Sequence, residues 1–174
     1  MMGYRELCER LSVLTGARTM ILGVGNVLKG DDGVGPLVCE GLRGRVSAQV
    51  IDAGTVPENY IRPIVKASPQ VLLVVDAIDF ADVPGAVGIF TAEQVSNIAF
   101  STHALSLRLF VDVLRADVAL DVFLLGVQPV GTAFGRPVSA PVQESIETLV
   151  DALAAVFPRA GRRTTASSPG IFAR

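Results

Sequence analysis

Hydrophobic positions along this chain fall into two rhythms that alternate from end to end. Continuous apolar runs recur at Thr19–Val24, Val71–Val75 and Val122–Val127, the pattern of strands buried on both faces. Between them, apolar side chains stand three and four residues apart. Leu7, Leu11 and Leu14 form one such set, and Val34, Leu37, Val38 and Leu42 a second. Leu107, Phe110, Val111 and Leu114 form a third, and Ile146, Leu149, Val150 and Leu153 a fourth. That spacing predicts amphipathic helices, the first over Tyr4–Leu14 and the last over Val142–Phe157. Shorter strands are expected at Ala48–Asp52 and Ala86–Phe90. Thr55-Val56-Pro57-Glu58 has the spacing of a capping box, which predicts a helix start, with Pro63 expected to kink or shorten that helix. Thr91 and Gln94 predict a second cap and a brief helix.

Strands that alternate with helices imply an α/β fold with a mostly parallel sheet covered on both faces. Ligands of such sheets bind beyond the carboxyl ends of the strands. The rule gathers the Gly25–Asp32 loop, Asp52–Thr55, Asp76 and Gln128 around one crevice. His103 is the chain's only histidine. It opens a helix and is expected to face the same rim.

Composition narrows the class. The 174 residues read as one domain over 1–158, since domains cluster near ~100–150 residues. The polar, basic, aperiodic tail at 159–174 is expected to be disordered. Half of the residues are hydrophobic and 18% are charged, so a large core is available. A net charge of −2 argues against a nucleic-acid partner, which calls for a basic surface. There is no apolar run of about 18 residues, so no membrane insertion is expected. Cys8 and Cys39 form no CxxC pair and read as reduced thiols, which suits a cytoplasmic protein.

The chemistry lies in the acids and the histidine. Taken singly, each has a structural explanation. Asp31 and Asp32 at a helix start favour the helix dipole, worth ~0.3–1 kcal/mol. Asp76 caps the turn after its strand, Asp52 forms a turn or supports its neighbours, and a lone histidine is more often structural than a ligand. Together, two carboxylates from two strand ends and one imidazole form an O,O,N set able to hold a borderline divalent ion. Three protein ligands leave a position open for water or a substrate oxygen. A helix N-terminus disfavours imidazolium at His103 and keeps a lone pair available. Asn26 and Gln128, at strand ends, are candidates for hydrogen bonds to a substrate backbone.

Gly23-x-Gly25 opens a competing reading, a dinucleotide fingerprint. Its third glycine is replaced by Leu28, and the aspartates that follow would repel a pyrophosphate. No GxSxG elbow presents a serine nucleophile. The alternative to an enzyme is a non-hydrolytic metal- or nucleotide-binding Rossmann-like protein.

GVGNVLKGDDGVG (Gly23–Gly35), DAGTVPEN (Asp52–Asn59), VVDAIDF (Val74–Phe80), STHALSL (Ser101–Leu107) and LLGVQP (Leu124–Pro129) occur in that order. Over roughly Met20 to Phe157 the chain thereby resembles the nickel–iron hydrogenase maturation endopeptidases. The closest resemblance is to the branch that serves the formate hydrogenlyase hydrogenase and related membrane-bound hydrogenases. The resemblance implies a three-layer α/β/α sandwich with a five-stranded sheet and one antiparallel strand, for which Ala86–Phe90 is the candidate. It also implies removal of a C-terminal extension from a hydrogenase large-subunit precursor once nickel has been inserted. The implied metal ligands are Asp32, Asp76 and His103, acting catalytically through the ion, with Asp31, Asp52 and Gly54 in support. Nickel would arrive with the precursor, with cadmium or zinc as substitutes in vitro. The ion would polarise the scissile carbonyl, lower the pKa of a water, or only position the substrate. A monomer is expected.

Overall fold

The computed structural model describes residues 2–94 and 102–159, and the backbone alone over 102–107. Five strands form one sheet: β1 (Thr19–Val24), β2 (Gln49–Gly54), β3 (Val71–Ala77), β4 (Val87–Thr91) and β5 (Asp121–Val127). Their spatial order is β2-β1-β3-β5-β4. All neighbours are parallel except β4, which runs antiparallel to β5 from Val87 opposite Val127 to Thr91 opposite Phe123. The expected antiparallel strand is therefore the observed one, displaced by one residue.

Alternation along the strands supplies two cores. Ile21, Leu73 and Val75 face the helices α1 (Tyr4–Ser12), α2 (Val34–Leu42) and α5 (Ala140–Val156). Met20, Leu22, Leu72 and Val74 face α3 (Ile61–Ala67) and α4 (Thr102–Asp117). Successive side chains on a strand point to opposite faces, so an unbroken apolar run requires cover on both. The result is a three-layer α/β/α sandwich. Cys8 is half-buried and Cys39 buried, both as free thiols. Burial pushes the Cys39 thiol up to about 12, so it behaves as a small apolar side chain. No helix among the described residues is long and apolar enough to cross a membrane.

One local expectation needs correction. Thr55 caps nothing: a 3₁₀ turn over Pro57–Tyr60 leads into α3, its N-cap is Val56, and no side-chain cap bond forms. Pro63 is the third residue of α3, where its missing N–H needs no intrahelical partner, and the helix is short at 7 residues. The cap at Thr91 is as expected. The Thr91 N–H donates to Gln94 Oε1 at 2.8 Å, and the Gln94 N–H donates to Thr91 Oγ1 at 3.3 Å. Residues 160–174, expected to be disordered, lie outside the described residues.

β1 meets α2 at glycine. A Cβ on Gly23 would strike Cys39 Sγ and the Gly35 carbonyl, and one on Gly35 would strike the backbone of Val24 and Val75. Strand and helix therefore approach at backbone distance, which only glycine permits. This contact brings the start of α2 against the ends of β1 and β3.

Candidate functional site

α2 crosses from β1 to β2 on one face of the sheet, and α3 crosses from β2 to β3 on the other. The chain thus departs in opposite directions from adjacent β1 and β3, and their carboxyl ends form the switch point where such sheets bind ligands. Asp76, the second-last residue of β3, lies on one side. The loop from β1, closing in a 3₁₀ turn at Gly30–Gly33, lies on the other and carries Asp31 and Asp32.

The adjacent acids do different work. Asp31 is 1% exposed and points away from the switch point, into the β5–α5 connection. Its Oδ2 accepts the Val130 N–H at 2.8 Å, the Gly131 N–H at 3.2 Å and the Ser139 hydroxyl at 3.0 Å. Its Oδ1 accepts the Ser139 N–H at 2.7 Å. Asp31 is a clamp between two loops. Asp32 turns the other way: its Oδ2 accepts the Asn26 N–H at 2.9 Å, while its carbonyl accepts the same N–H at 3.1 Å. Asn26 thus aims Asp32, and its own Oδ1 is taken by the Leu28 N–H at 2.9 Å.

Asp32 and Asp76 are brought together. Burial pushes the Asp76 carboxyl from an ordinary 3.8 up to about 8, one N–H bond from Ala77 opposes that, and the negative charge of Asp32 adds to it. A desolvated carboxyl facing a second acid is the arrangement a divalent cation relieves. The donor set therefore fits a hard or borderline cation. Among the described residues no three His, Cys, Asp or Glu side chains gather as a complete cage. The third expected ligand, His103, has its side chain outside the described residues. Its backbone is the second residue of α4, whose far end is tethered at the opposite edge of the sheet. Arg115 there pairs with Glu93 at 2.7 Å, and the Asp121 N–H opening β5 donates to the Gln70 carbonyl at 2.9 Å. Residue 103 precedes Arg115 by twelve helical positions, or about 18 Å of rise. A helix packed along the strands therefore starts near the carboxyl edge.

The remaining expected site residues are committed to the scaffold. Asp52 Oδ1 accepts the Gly54 N–H at 3.0 Å. Gly54 sits at φ 55 and its carbonyl accepts the Gly25 N–H at 2.9 Å, so this turn braces the loop one strand away from the acid pair. Gln128 was expected to reach a substrate backbone. Instead its buried amide ties down the β3–β4 loop, accepting the N–H of Phe80 at 2.9 Å and of Asp82 at 3.2 Å and donating to Asp79 at 3.0 Å. Asn26 uses its side-chain oxygen within the turn, where it accepts the Leu28 N–H.

The nucleotide reading meets a physical obstacle. The N–H groups of Gly25, Asn26, Leu28, Lys29, Asp31 and Asp32 all have partners within the protein. A phosphate cradle needs such amides free. A Cβ at Gly25 would overlap the Asp32 carbonyl oxygen, so the glycine makes room for the chain itself.

Sequence reasoning did not foresee the part played by 129–139. Pro129, Gly131, Gly135 and Pro137 mark it as irregular. Nothing local shows that Asp31, about a hundred positions earlier, holds it.

A family model described as HycI, hydrogenase maturation protease, matches residues 38–156. The hydrogenase 3 maturation protease of Escherichia coli K12 is 35% identical over 137 residues, 77% of this chain and 87% of that protein. The chain belongs to the hydrogenase maturation protease family. A crystal structure of a [NiFe] hydrogenase maturation protease, HycI from Thermococcus kodakarensis, superposes with a TM-score of 0.77 at 32% identity, covering 84% of this chain and 97% of that one. The hydrogenase maturating endopeptidase HybD of E. coli superposes at 0.68 with 27% identity, over 82% and 98%. This maturation protease is accordingly a peptidase. The family match contains Asp76 and His103 and begins after Asp32.

Proposed function

We propose that this maturation protease removes the C-terminal extension of a nickel–iron hydrogenase large-subunit precursor, and that the nickel already in the precursor is its recognition element. The observation that carries the reading is the acid pair: Asp76, pushed up to about 8, faces Asp32 at the switch point. Asp32, Asp76 and His103 complete the coordination of the ion that the precursor presents. A divalent ion there supplies Lewis acidity for amide hydrolysis without a serine or cysteine nucleophile.

The chain's own residues prepare that event. Asn26 orients Asp32 through its N–H. To hold the ion Asp76 would have to be ionised, its proton passing to solvent, because a carboxylate ligand is deprotonated. Asp31 keeps the loop that carries Asp32 in register with the β5–α5 connection. Such a site discriminates against unloaded precursor because that form brings no ion for Asp32 and an ionised Asp76 to coordinate. The protein is expected to act as a cytoplasmic monomer.

Purified protease is to be incubated with nickel-loaded and nickel-free precursor while the mass of the large subunit is followed. Loss of the extension from the loaded form alone is expected. Equal processing of both forms would rule out nickel as the recognition element. His103→Ala is expected to abolish processing with an unchanged far-ultraviolet circular dichroism spectrum. An unfolded variant would make His103 structural.

A further inference from the structure

Beside the acid pair, two loops present apolar side chains to solvent. Val27 is 53% exposed and Leu28 57% on the loop after β1, and Val130 is 62% and Phe134 72% on the loop after β5. Neither loop is loosely attached. The Gly135 N–H donates to the Leu28 carbonyl at 2.8 Å, the Asp31 N–H to the Gly131 carbonyl at 3.2 Å, and the Asp31 carboxylate holds Val130, Gly131 and Ser139. These bonds tie the two loops to each other, so the four exposed apolar residues lie on joined segments of one rim.

Scattered exposed apolar residues need no explanation, but a cluster next to a functional rim marks an interface. The cluster has a charged flank. Lys29 and Arg136 are both exposed, and neither forms an ion pair among the described residues. Arg136 lies against Gly30, the residue after Lys29, with its Cβ 3.5 Å from the position a Gly30 Cβ would take. An apolar centre containing an aromatic ring, with basic residues at its edge, has the make-up of a protein–protein contact.

We infer that Val27, Leu28, Val130 and Phe134 form a docking platform for the folded body of the protein substrate, which meets it with an apolar patch fringed by acidic groups. The inference rests on the proposed function for the identity of that substrate. The platform stands to one side of Asp32 on the segment that carries it, so docking there positions the substrate without occupying the acid pair. It holds the body of the precursor while the scissile segment crosses the switch point.

The test is steady-state processing of nickel-loaded precursor by Leu28→Asp, Phe134→Asp and Phe134→Ser variants. Equilibrium binding to the mature large subunit, which lacks the extension, is measured alongside. Val13→Asp serves as the control, since Val13 is 79% exposed next to α1, away from the platform. Each platform variant is expected to raise KM, and Kd for the mature subunit, by about tenfold or more. Their kcat should stay within about twofold, and the control should match the wild type. Lys29→Glu with Arg136→Glu should slow association and flatten its dependence on salt. An unchanged KM and Kd in the aspartate and serine variants would overturn the platform, as would a fall confined to kcat. If the wild type cleaves neither form of the precursor, the proposed function fails. The binding comparison still decides the surface: weakened binding by the variants supports it, and equal binding overturns it.

Discussion

Asp76→Asn is expected to make the metal-free protease more stable above pH 8 while abolishing processing. The sign follows from burial. Asp76 has an ordinary pKa of 3.8 when the chain is unfolded and about 8 in the fold. Between those values the folded protein holds a proton that the unfolded chain has lost. The stability this protonation contributes is complete below about pH 4. It is lost progressively as pH rises, and is gone once pH has passed through about 8. The wild type should therefore lose a few kcal/mol between pH 5 and pH 9, a range set by that shift. The asparagine variant is neutral throughout and keeps the shape of the acid, so its melting temperature should stay nearly flat across the range. At pH 9 it should exceed that of the wild type by roughly 5–10 °C.

A divalent cation should reverse the ranking by stabilising the wild type and leaving Asp76→Asn unmoved. Cation affinity for the wild type should climb with pH and level off above about 8, with about one proton released per ion bound. Processing should fall by more than the roughly 10–100-fold that loss of a ligand's supporting hydrogen bond costs. Thermal melts across pH with and without cadmium, together with the mass assay, check all of this. A wild-type melting temperature that does not fall above pH 6 would contradict it.

The second large effect is at Asp31. A carboxylate that only favours a helix dipole is worth ~0.3–1 kcal/mol, so its removal would lower the melting temperature by a few degrees at most. The structure instead gives Asp31 four hydrogen bonds from three residues of the β5–α5 connection. Hydrogen bonds to a charged group contribute about 1.5–3 kcal/mol each. Val130 and Gly131 are exposed, so water replaces part of what their amides lose and the terms do not simply add. Asp31→Ala should cost about 3–5 kcal/mol, or roughly 10 °C in melting temperature. Hydrogen exchange should show newly exposed amides at Val130 and Ser139. A loss under about 1 kcal/mol would return Asp31 to the dipole reading. Asp32→Ala, whose carboxylate accepts one N–H, should cost far less stability and should abolish processing.

The contrast between these neighbours shows what can be read from a chain and what cannot. Strands β1, β3 and β5 were legible because an unbroken apolar run has few other uses in a protein of this size. The helix faces were legible from their spacing. The switch point followed from the alternation of elements, and Asp76 from the abrupt end of an apolar run. Asp31 and Asp32 look alike in sequence, and only tertiary structure separates the clamp from the acid that faces Asp76. Gln128 was misread for the same reason. A polar side chain at the end of a strand looks available until the loop it ties down, some fifty residues earlier, is in place. The apparent cap at Thr55 failed because Pro57 opened a 3₁₀ turn, whose path does not bring the threonine hydroxyl to an amide. Gly23 and Gly25, which looked like the front of a dinucleotide fingerprint, are points of close approach. What approaches is α2 and the Asp32 carbonyl, not a ligand.

Anomalous diffraction from crystals of the protease soaked in cadmium or nickel measures the central geometry. The expected result is one strong peak at the carboxyl ends of β1 and β3, within bonding distance of the carboxylates of Asp32 and Asp76 and of the imidazole of His103. A peak bounded by other side chains would contradict the account, and so would an imidazole of His103 turned away from an ion held by the two acids.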